Sequence, residues 1–304
     1  MEFRQLEHFL AVAGEMSFTR AAERAHVVQS ALSTSVAKLE RELGVALFDR
    51  SRQQITLTPA GERFHTHAHD VLRAGRAAVD SVGEFRGSLV GTVEFGSLIA
   101  FGPLDVAGAL GQFHRRHPHV RLRLRLSQTG ASSYLSALLE GTLDLALVSV
   151  PDRFPAPLTL QKLFDDPLVF VCRGDHAVAD RREVSIDDLS EEDLIGFPPG
   201  FGLRRLVDDA FHAAGREART LYEVPAGFHA VADLVSSGLG TAFMPRSEAS
   251  RFPALRTVDL AEPVLWTVYL ASPARGRMTP PSAQLAQALL DAAGGQVSGY
   301  AVPR

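Results

Sequence analysis

The sequence predicts an α/β protein with an all-α N-terminal domain, a long connecting helix and a larger C-terminal domain. Three observations indicate this fold class. Apolar residues recur at helical spacing in three short stretches of the first 60 residues. A proline-free stretch from residue 60 to about residue 83 carries one apolar stripe. Beyond residue 92, strand patterns alternate with helix patterns, which favours a mostly parallel sheet covered by helices.

Composition narrows the class of protein. The chain has 304 residues, of which 46% are hydrophobic, so it can form two or three domains with buried cores. No run of about 18 apolar residues occurs, and Met1–Gln5 lacks the features of a secretory signal, so we expect a cytoplasmic protein without membrane spans. The net charge of −4 argues against broad, non-specific nucleic-acid binding but allows a small DNA-binding module.

The three N-terminal helices have the arrangement of a helix-turn-helix. The first ends at Gly14, the second opens after the N-cap candidate Ser17, and the third stops at Gly44. Two short helices, a tight turn and a longer helix are typical of this motif, whose final helix lies in the DNA major groove. Their apolar faces comprise Leu6, Phe9, Leu10 and Ala13; Phe18, Ala21, Ala22 and Ala25; and Leu32, Val36 and Leu39.

The opposite face of the third helix carries short uncharged side chains that can both donate and accept hydrogen bonds. Gln29 is suited to pair with adenine, and Ser30, Ser33 and Thr34 can reach base edges or phosphates. Lys38 lies further along the same helix and is expected to contact DNA as well. The alternative interpretation, a merely solvated helix face, would be expected to carry mostly Lys and Glu.

A short wing is predicted after the third helix. The segment "QQITLT" alternates polar and apolar residues, as a half-buried strand does, and Arg50 and Arg52 lie where the chain turns towards it. Arginines on such a wing would contact phosphate or the minor groove.

These segments resemble the winged helix-turn-helix of LysR-type transcriptional regulators, without a gap through residues 3–62. The resemblance implies a sequence-specific regulator that binds a dyad-symmetric DNA site as a homodimer or, as is usual in the family, a homotetramer. The matching positions are Phe18, Ala21, Ala22, Gln29, Leu32, Ser33, Leu39, Glu40, Leu43, Gly44, Leu47, Phe48, Arg50, and Leu57 to Gly61.

Three positions depart from the family pattern. Val28 stands where the family usually has a serine before the recognition helix, and losing that cap costs about 1 kcal/mol of helix stability. Ser30 replaces a common proline, and Thr34 replaces a frequent arginine. We therefore expect an altered or softer DNA sequence preference.

The connecting helix is predicted to dimerise. Thr58 can cap it and Pro59 suits its first position. About 24 residues give a rod of about 36 Å, and its apolar residues recur as in a short coiled-coil seam that needs a second helix. The resemblance identifies this segment, residues 59–88, as the linker helix between the DNA-binding domain, residues 1–58, and the effector domain, residues 89–304.

Histidines on this helix raise the question of a metal site. His65 and His69 are four residues apart and could share a metal ion. No carboxylate or thiolate completes the set at convincing spacing, although Asp70 is adjacent. We expect partly exposed polar positions, with no metal and no cofactor.

The C-terminal two-thirds resemble the LysR effector domain, a fold similar to periplasmic solute-binding proteins. The most telling segments are "LLEGTLDLALV" and "LVSSGLGTAFMP". In that fold the chain crosses twice between subdomains, here near residues 163 and 265. The resemblance implies a subdomain I of residues 92–162 and 267–304, a subdomain II of residues 163–266, and a small-molecule effector between them.

Candidate effector contacts lie where strands end and helices begin. Backbone N–H groups there favour an anion, and apolar residues from Ser97 to Phe101 favour a partly hydrophobic effector. Ser97 and Thr129 are candidate hydrogen-bond donors. Leu98, Phe201 and Phe228 are expected to shape the pocket. Ordinary turn and cap chemistry remains the alternative for each position.

Other polar residues allow a plainer interpretation. Arg121, Arg123 and Arg125 alternate on one strand face, either as an anion-binding patch or as an exposed sheet face or subunit interface. Arg204 either pairs with an effector carboxylate or is an exposed helix residue. Cys172, the single cysteine, lies on an apolar strand and is expected to be buried and inert.

Two other functions are alternatives to that of a transcriptional regulator. An enzyme would need catalytic machinery, but the sequence has no Gly-rich phosphate loop, no G-x-S-x-G elbow and no metal-ligand cluster. A peroxide-sensing relative with an intrachain disulfide switch would need two cysteines, and the chain has one. Both alternatives are therefore disfavoured.

Overall fold

The computed structural model describes residues 1–50, 55–83, 88–98, 101–126, 131–149, 158–225, 227–273 and 278–296. The chain divides into two compact units, one of Met1–Gly91 with Leu139–Thr142 and one of Thr92–Leu138 with Leu143–Arg304. The predicted sites Arg52 and Thr129 lie outside the described residues.

The first unit contains the predicted helices and the wing. Helices α1 (Phe3–Glu15), α2 (Phe18–Arg24) and α3 (Gln29–Leu43) precede the antiparallel strands β1 (Phe48–Asp49) and β2 (Thr56–Leu57). Helix α4 (Pro59–Gly83) begins and ends where the sequence predicts. Thr58 caps it, because its Oγ1 accepts a hydrogen bond from the backbone N–H of Gly61 at 3.0 Å.

One apolar cluster holds this unit together. Ala21 and Ala22 are buried against the neighbouring helices, as the close approach of α1, α2 and α3 requires. Gly44 ends α3 at a φ of 70°, a left-handed conformation that favours glycine. The fully enclosed members of the cluster include Leu6, Phe9, Val12, Leu32, Val36, Leu39 and Leu47.

The second unit alternates strands and helices over its first half. The order is β3 (Gly91–Ser97), α5 (Val106–Arg116), β4 (Val120–Leu126), α6 (Ala131–Glu140), β5 (Leu145–Val148) and the long strand β6 (Leu158–Cys172).

The rest of this unit continues with β7 (Glu183–Val184), a 3-10 turn (Asp187–Leu189), β8 (Leu194–Gly196), α7 (Gly202–Ala213), β9 (Thr220–Glu223) and α8 (Phe228–Ser236). It ends with β10 (Ala242–Pro245), α9 (Arg246–Ala249), β11 (Arg256–Leu260), β12 (Leu265–Pro273) and α10 (Pro280–Gln296).

Eight of the described strands form one mixed sheet, in the order β4-β3-β5-β12-β6-β11-β7 with β10 also on β6. Strands β3 and β5 are parallel, but β12 is antiparallel to both β5 and β6. The expectation of a mostly parallel sheet is therefore wrong. The chain runs across this unit in one direction along β6 and returns in the opposite direction along β12. Because the two strands are neighbours in the sheet, they pair antiparallel.

Strand β6 serves two parts of the sheet. Leu158–Pro167 pairs with β12, whereas Leu168–Cys172 pairs with β10 and β11. Phe164 and Trp266 pack edge to face at 5.8 Å where the two long strands run together. The part of β6 beyond this point lies under the cluster formed by α8 and β10.

Candidate DNA interface and effector domain

Helix α3 has one buried face and one exposed face. Leu32, Val36 and Leu39 are completely enclosed, which fixes the rotation of the helix about its axis. Gln29, Ser30, Thr34 and Lys38 are exposed, and Ser33 is half-buried. The polar face that the sequence predicts therefore points away from the core of its own unit.

The start of α3 exposes an apolar side chain. Val28 is the N-cap residue and makes no side-chain capping hydrogen bond. Its carbonyl oxygen accepts hydrogen bonds from the N–H groups of Ala31 and Leu32 at 3.0 and 3.2 Å, so the backbone hydrogen bonds of the first turn are formed. The Val28 side chain is 68% exposed.

The wing is anchored to α3 by Glu40. Its Oε1 accepts from the backbone N–H groups of Leu47 and Phe48 at 2.8 and 3.1 Å, and its Oε2 lies 3.0 Å from Arg50 Nη2. The Arg50 guanidinium also stacks 4.7 Å from the centre of the Phe18 ring. Sequence reasoning assigned Arg50 to DNA but missed that Glu40 and Phe18 position it.

A groove of about 430 Å³ runs between α1 and the exposed face of α3. Lys38 on one wall forms an ion pair with Glu2 on the other, with Nζ 3.3 Å from Oε1. Both side chains are more than half exposed, so solvent screens this pair. The residues lining the groove are Glu2, Arg4, Gln5, Ser30, Ala31, Thr34, Ser35 and Lys38.

In the second unit, Ser97 lies at the end of β3. Its side chain is buried and Oγ donates to the carbonyl oxygen of Leu98 at 3.2 Å. Tyr134 on α6 places its hydroxyl 2.6 Å from the Ser97 carbonyl oxygen and 2.8 Å from that of Arg125. This contact fixes the end of β3 against β4, so the segment beginning at Leu98 starts from a rigid point.

The arginines of β4 are partly neutralised. Arg123 Nη1 lies 3.1 Å and Arg125 Nη2 2.8 Å from the two carboxylate oxygens of Glu94, a buried residue on the adjacent strand β3. Arg121 has no ion partner among the described residues. The three arginines of β4 are therefore better described as an exposed sheet edge, partly neutralised by Glu94, than as a strong anion-binding patch.

Phe201 and Phe228 are buried against a third ring. Phe197 stacks on Phe201 at 5.6 Å and meets Phe228 edge to face at 5.2 Å, and all three belong to the cluster under α8. Phe201 is the N-cap of α7, and the first residue of that helix, Gly202, lies against Ser149 at the end of β5. A Cβ at Gly202 would come within 2.7 Å of the Ser149 carbonyl oxygen, so only glycine permits this approach.

Arg204 is engaged within its own domain. It pairs with Asp208 and Glu223 at 2.9 and 3.0 Å, and Nη1 also donates to the Phe197 carbonyl oxygen at 3.3 Å. Arg204 is therefore half-buried rather than an exposed helix residue, and its Nε and Nη1 already donate to acceptors of its own unit.

Two buried carboxylates, those of Asp166 and Glu248, were not predicted from the sequence. Asp166 on β6 accepts from the hydroxyl and the backbone N–H of Ser247, and desolvation raises the pKa of its carboxyl above the ordinary value. Desolvation also raises the pKa of the neighbouring Glu248, whose Oε1 is buried without a partner among the described residues. Their only sequence signal is an acid beside an apolar run, in "DDPLVF" and "SEAS".

Cys172 is buried at the end of β6, as predicted. Burial is the main cause that raises the pKa of its thiol to about 11. A thiol with this pKa is a poor nucleophile at neutral pH.

The histidine pair of α4 is close, with ring centroids of His65 and His69 4.8 Å apart. Over the described ranges, no three or more His, Cys, Asp or Glu side chains gather as a metal site would need. No described helix is both long and apolar enough to cross a bilayer.

A helix-turn-helix with a wing, followed by a long helix and an α/β domain with two crossing strands, defines a ligand-responsive transcriptional regulator. Two family models cover the chain: "Bacterial regulatory helix-turn-helix protein, lysR family" matches residues 3–62 and "LysR substrate binding domain" matches residues 86–294. The chain belongs to the LysR family of transcriptional regulators.

Similar proteins agree with this assignment. A probable hydrogen peroxide-inducible genes activator of Streptomyces viridosporus is 32% identical over 263 residues, which cover 85% of this chain and 83% of that protein. The structure of a full-length OxyR variant from Pseudomonas aeruginosa is similar with a TM-score of 0.71 and 26% identity, covering 96% of this chain and 94% of that chain. Full-length CbnR complexed with its target DNA gives a TM-score of 0.63 and 25% identity, covering 96% and 100%.

Proposed function

We propose that the exposed face of α3 contacts base edges in the DNA major groove through Gln29, Ser30, Ser33 and Thr34. The observation that carries this proposal is the rotation of α3, whose three enclosed apolar residues leave this face outward. A groove-facing helix in a helix-turn-helix reads bases with its N-terminal residues, which is where these side chains lie. The CbnR relative, which was solved on its target DNA, supports the same use of the domain.

Three cations would contact the DNA backbone in this arrangement. Lys38 lines the groove on the α3 side, Arg50 is held by Glu40 at the base of the wing, and Arg52 follows two positions later in the sequence. Contacts of this kind set position and affinity rather than sequence preference. Because such a regulator must reach the chromosome, we place its action in the cytoplasm.

We propose a homodimer formed through α4, assembling further into the homotetramer usual in the family. Val79 is 71% exposed and Val71 39% exposed on this helix, and a partner helix would cover them. A symmetric dimer presents two copies of α3 to a dyad-symmetric site. Val79→Asp should lower the mass measured by light scattering, whereas Thr66→Asp, at an exposed position on roughly the opposite side of the same helix, should not. Equal masses for both variants would contradict this dimer.

The effector is proposed to bind between subdomain I, residues 92–162 and 267–304, and subdomain II, residues 163–266. Gly202 and Ser149 bring the N-terminus of α7 to the end of β5, where backbone N–H groups favour an anion. Ser97, Leu98 and Thr129 would contact the effector from one side, and the wall containing Phe201 and Phe228 would supply apolar surface from the other. An organic carboxylate with an apolar body fits both features.

A binding role accounts for the chain better than catalysis, and the relatives are transcriptional regulators rather than enzymes. Some relatives are named as hydrogen peroxide-inducible activators. Peroxide sensing through an intrachain disulfide is disfavoured for this chain, because it has one cysteine and that cysteine is buried.

The test is a footprint of the purified full chain on DNA selected from a random duplex library. Succinate and benzoate serve as aliphatic and aromatic carboxylate probes. We expect protection of two half-sites related by a dyad and a change in the footprint or its bend with at least one carboxylate. No selected DNA would overturn the DNA interface, and a footprint unchanged by either probe would overturn the carboxylate proposal.

A further inference from the structure

Val28 occupies the position where α3 meets the turn from α2, and its side chain is the most exposed large apolar group on that turn. It is 68% exposed, against 37% for Val27 beside it. Neither valine belongs to the apolar cluster of the first unit within the described residues. Most of this isopropyl group remains in contact with solvent after folding, so its apolar surface is available to whatever the unit binds.

The backbone around Val28 is fixed. The N–H of Val27 donates to the Ala22 carbonyl oxygen at 3.0 Å, and the Val28 carbonyl oxygen accepts from Ala31 and Leu32 at the first turn of α3. Val28 has extended backbone angles, with φ of −73° and ψ of 141°. Its side chain therefore projects from a rigid helix start, one residue before Gln29.

Val28 also replaces a cap that would stabilise the helix. With no side-chain oxygen, it leaves the first N–H groups of α3 without a capping hydrogen bond. A serine or threonine at an N-cap stabilises a helix relative to an apolar residue, because its side-chain oxygen accepts from one of the first backbone N–H groups. In the free protein, Val28 is therefore less favourable than serine for two reasons: it exposes apolar surface to water, and it provides no capping oxygen for α3.

From this position we propose that Val28 contacts the 5-methyl group of a thymine in each half-site, beside the base pair that Gln29 reads. The major groove shows one apolar group on a base edge, the thymine methyl, and apolar side chains recognise it by direct contact. The inference rests on the proposed DNA interface and adds to it a residue that determines specificity.

The expected size follows from the burial of one methyl group. Burying a single carbon of this kind is worth about a fourfold change in affinity for each half-site. Replacing the thymine by deoxyuridine removes only the methyl and leaves all hydrogen-bonding groups of the base pair in place. The substitution therefore isolates the proposed contact.

The experiment uses the full chain and a DNA site selected from a random duplex library, with each thymine replaced in turn by deoxyuridine. Affinities are measured at one fixed salt concentration, because phosphate contacts make binding salt-dependent. For the native chain, we expect about a fourfold loss at one thymine per half-site. Val28→Ala should lose this discrimination, whereas the control Val27→Ala should keep it.

Val28→Ser provides a second variant whose folding is not at risk, since serine restores the capping oxygen. It should be at least as stable as the native chain in urea, yet it should fail to distinguish thymine from deoxyuridine. Equal deoxyuridine effects in the native chain and in both Val28 variants would overturn the proposal. If Gln29→Ala still weakens binding in that case, the DNA interface stands and only the role of Val28 is wrong; failure to select any DNA overturns both.

Discussion

Lys38 on the recognition helix forms an ion pair with Glu2 at the start of α1, with Nζ 3.3 Å from Oε1. The pair spans the groove between the two helices, where a DNA phosphate would lie if α3 enters the major groove. A carboxylate in this place repels phosphate and competes with it for the ammonium group. We therefore expect Glu2 to limit the affinity for DNA that Lys38 contributes.

Glu2→Gln should tighten DNA binding several-fold at low salt, because Lys38 becomes available to phosphate and one negative charge is lost. The start of α1 should persist, since the Glu2 backbone N–H still donates to Gln5 Oε1 at 2.6 Å. Fluorescence anisotropy from low to moderate salt measures the effect, and the gain should shrink as salt rises. Glu7→Gln, an equal charge change at another exposed position of α1, should gain less; an equal gain would assign the effect to net charge alone.

Glu40→Ala should destabilise the first unit by about 1–3 kcal/mol, because the N–H groups of Leu47 and Phe48 lose their shared acceptor. Far-UV circular dichroism in urea follows the helices of both units, while the single tryptophan, Trp266, lies in the second unit. The part of the circular dichroism transition that belongs to α1–α4 should move to lower urea, while the tryptophan transition should stay in place. Unchanged transitions by both probes would mean that Glu40 does not anchor the wing.

Glu248→Gln should change how stability depends on pH. Burial raises the folded-state pKa of Glu248 above its ordinary value of 4.5, and Arg251, His229, Asp166 and the backbone N–H of Gly102 are the groups that face it. A raised pKa means that the folded state binds the proton more tightly than the unfolded state. The contribution of Glu248 to wild-type stability is therefore lost as pH rises from 4.5 through the folded pKa, and the neutral variant lacks this contribution.

The measurement is urea unfolding followed by Trp266 fluorescence at pH 4.5 and pH 8. The stability of Glu248→Gln relative to the wild type should increase between these pH values. Glu262→Gln, at an exposed position of the same unit, serves as the control and should track the wild type. A constant difference between Glu248→Gln and the wild type across this range would contradict the burial argument.

Cys172 should be unreactive in the folded protein. With a thiol pKa of about 11, the thiolate fraction at pH 7 is on the order of one in ten thousand, and the sulfur is buried. Mass spectrometry after treatment with iodoacetamide should show alkylation in denaturant but not in buffer. DNA affinity should be the same before and after hydrogen peroxide, in the native chain and in Cys172→Ser; a peroxide response present only in the native chain would make Cys172 a redox sensor.

The sequence predicted the strongly periodic elements well, because periodicity reports burial on one face. Helices α3 and α4 have the predicted ends, since Gly44, Thr58 and Pro59 are local signals that act within one turn. Strands β9 and β11 were missed. They are short: "TLYE" is mostly exposed, and the alternation in "RTVDL" covers only two buried residues.

The candidate sites were harder to predict, because contacts between distant segments decide them. The sequence placed Arg50 near DNA, but its partners are Glu40 and Phe18, which lie 10 and 32 positions away. Phe201 was expected to shape a pocket, but the sequence did not show that it would stack on Phe197 in the cluster under α8. A single sequence also does not show that Ser247 donates hydrogen bonds to Asp166, which lies 81 positions earlier in the chain.

The central claim is that the exposed face of α3 reads DNA, and a missing-contact measurement with Gln29→Ala tests it most directly. Each base pair of the selected site is substituted in turn, and affinities are compared for the native chain and the variant. We predict that Gln29→Ala loses its preference at one base pair in each half-site, an adenine–thymine pair, and keeps it elsewhere. A variant whose preferences match the native chain at every position would show that Gln29 does not read a base.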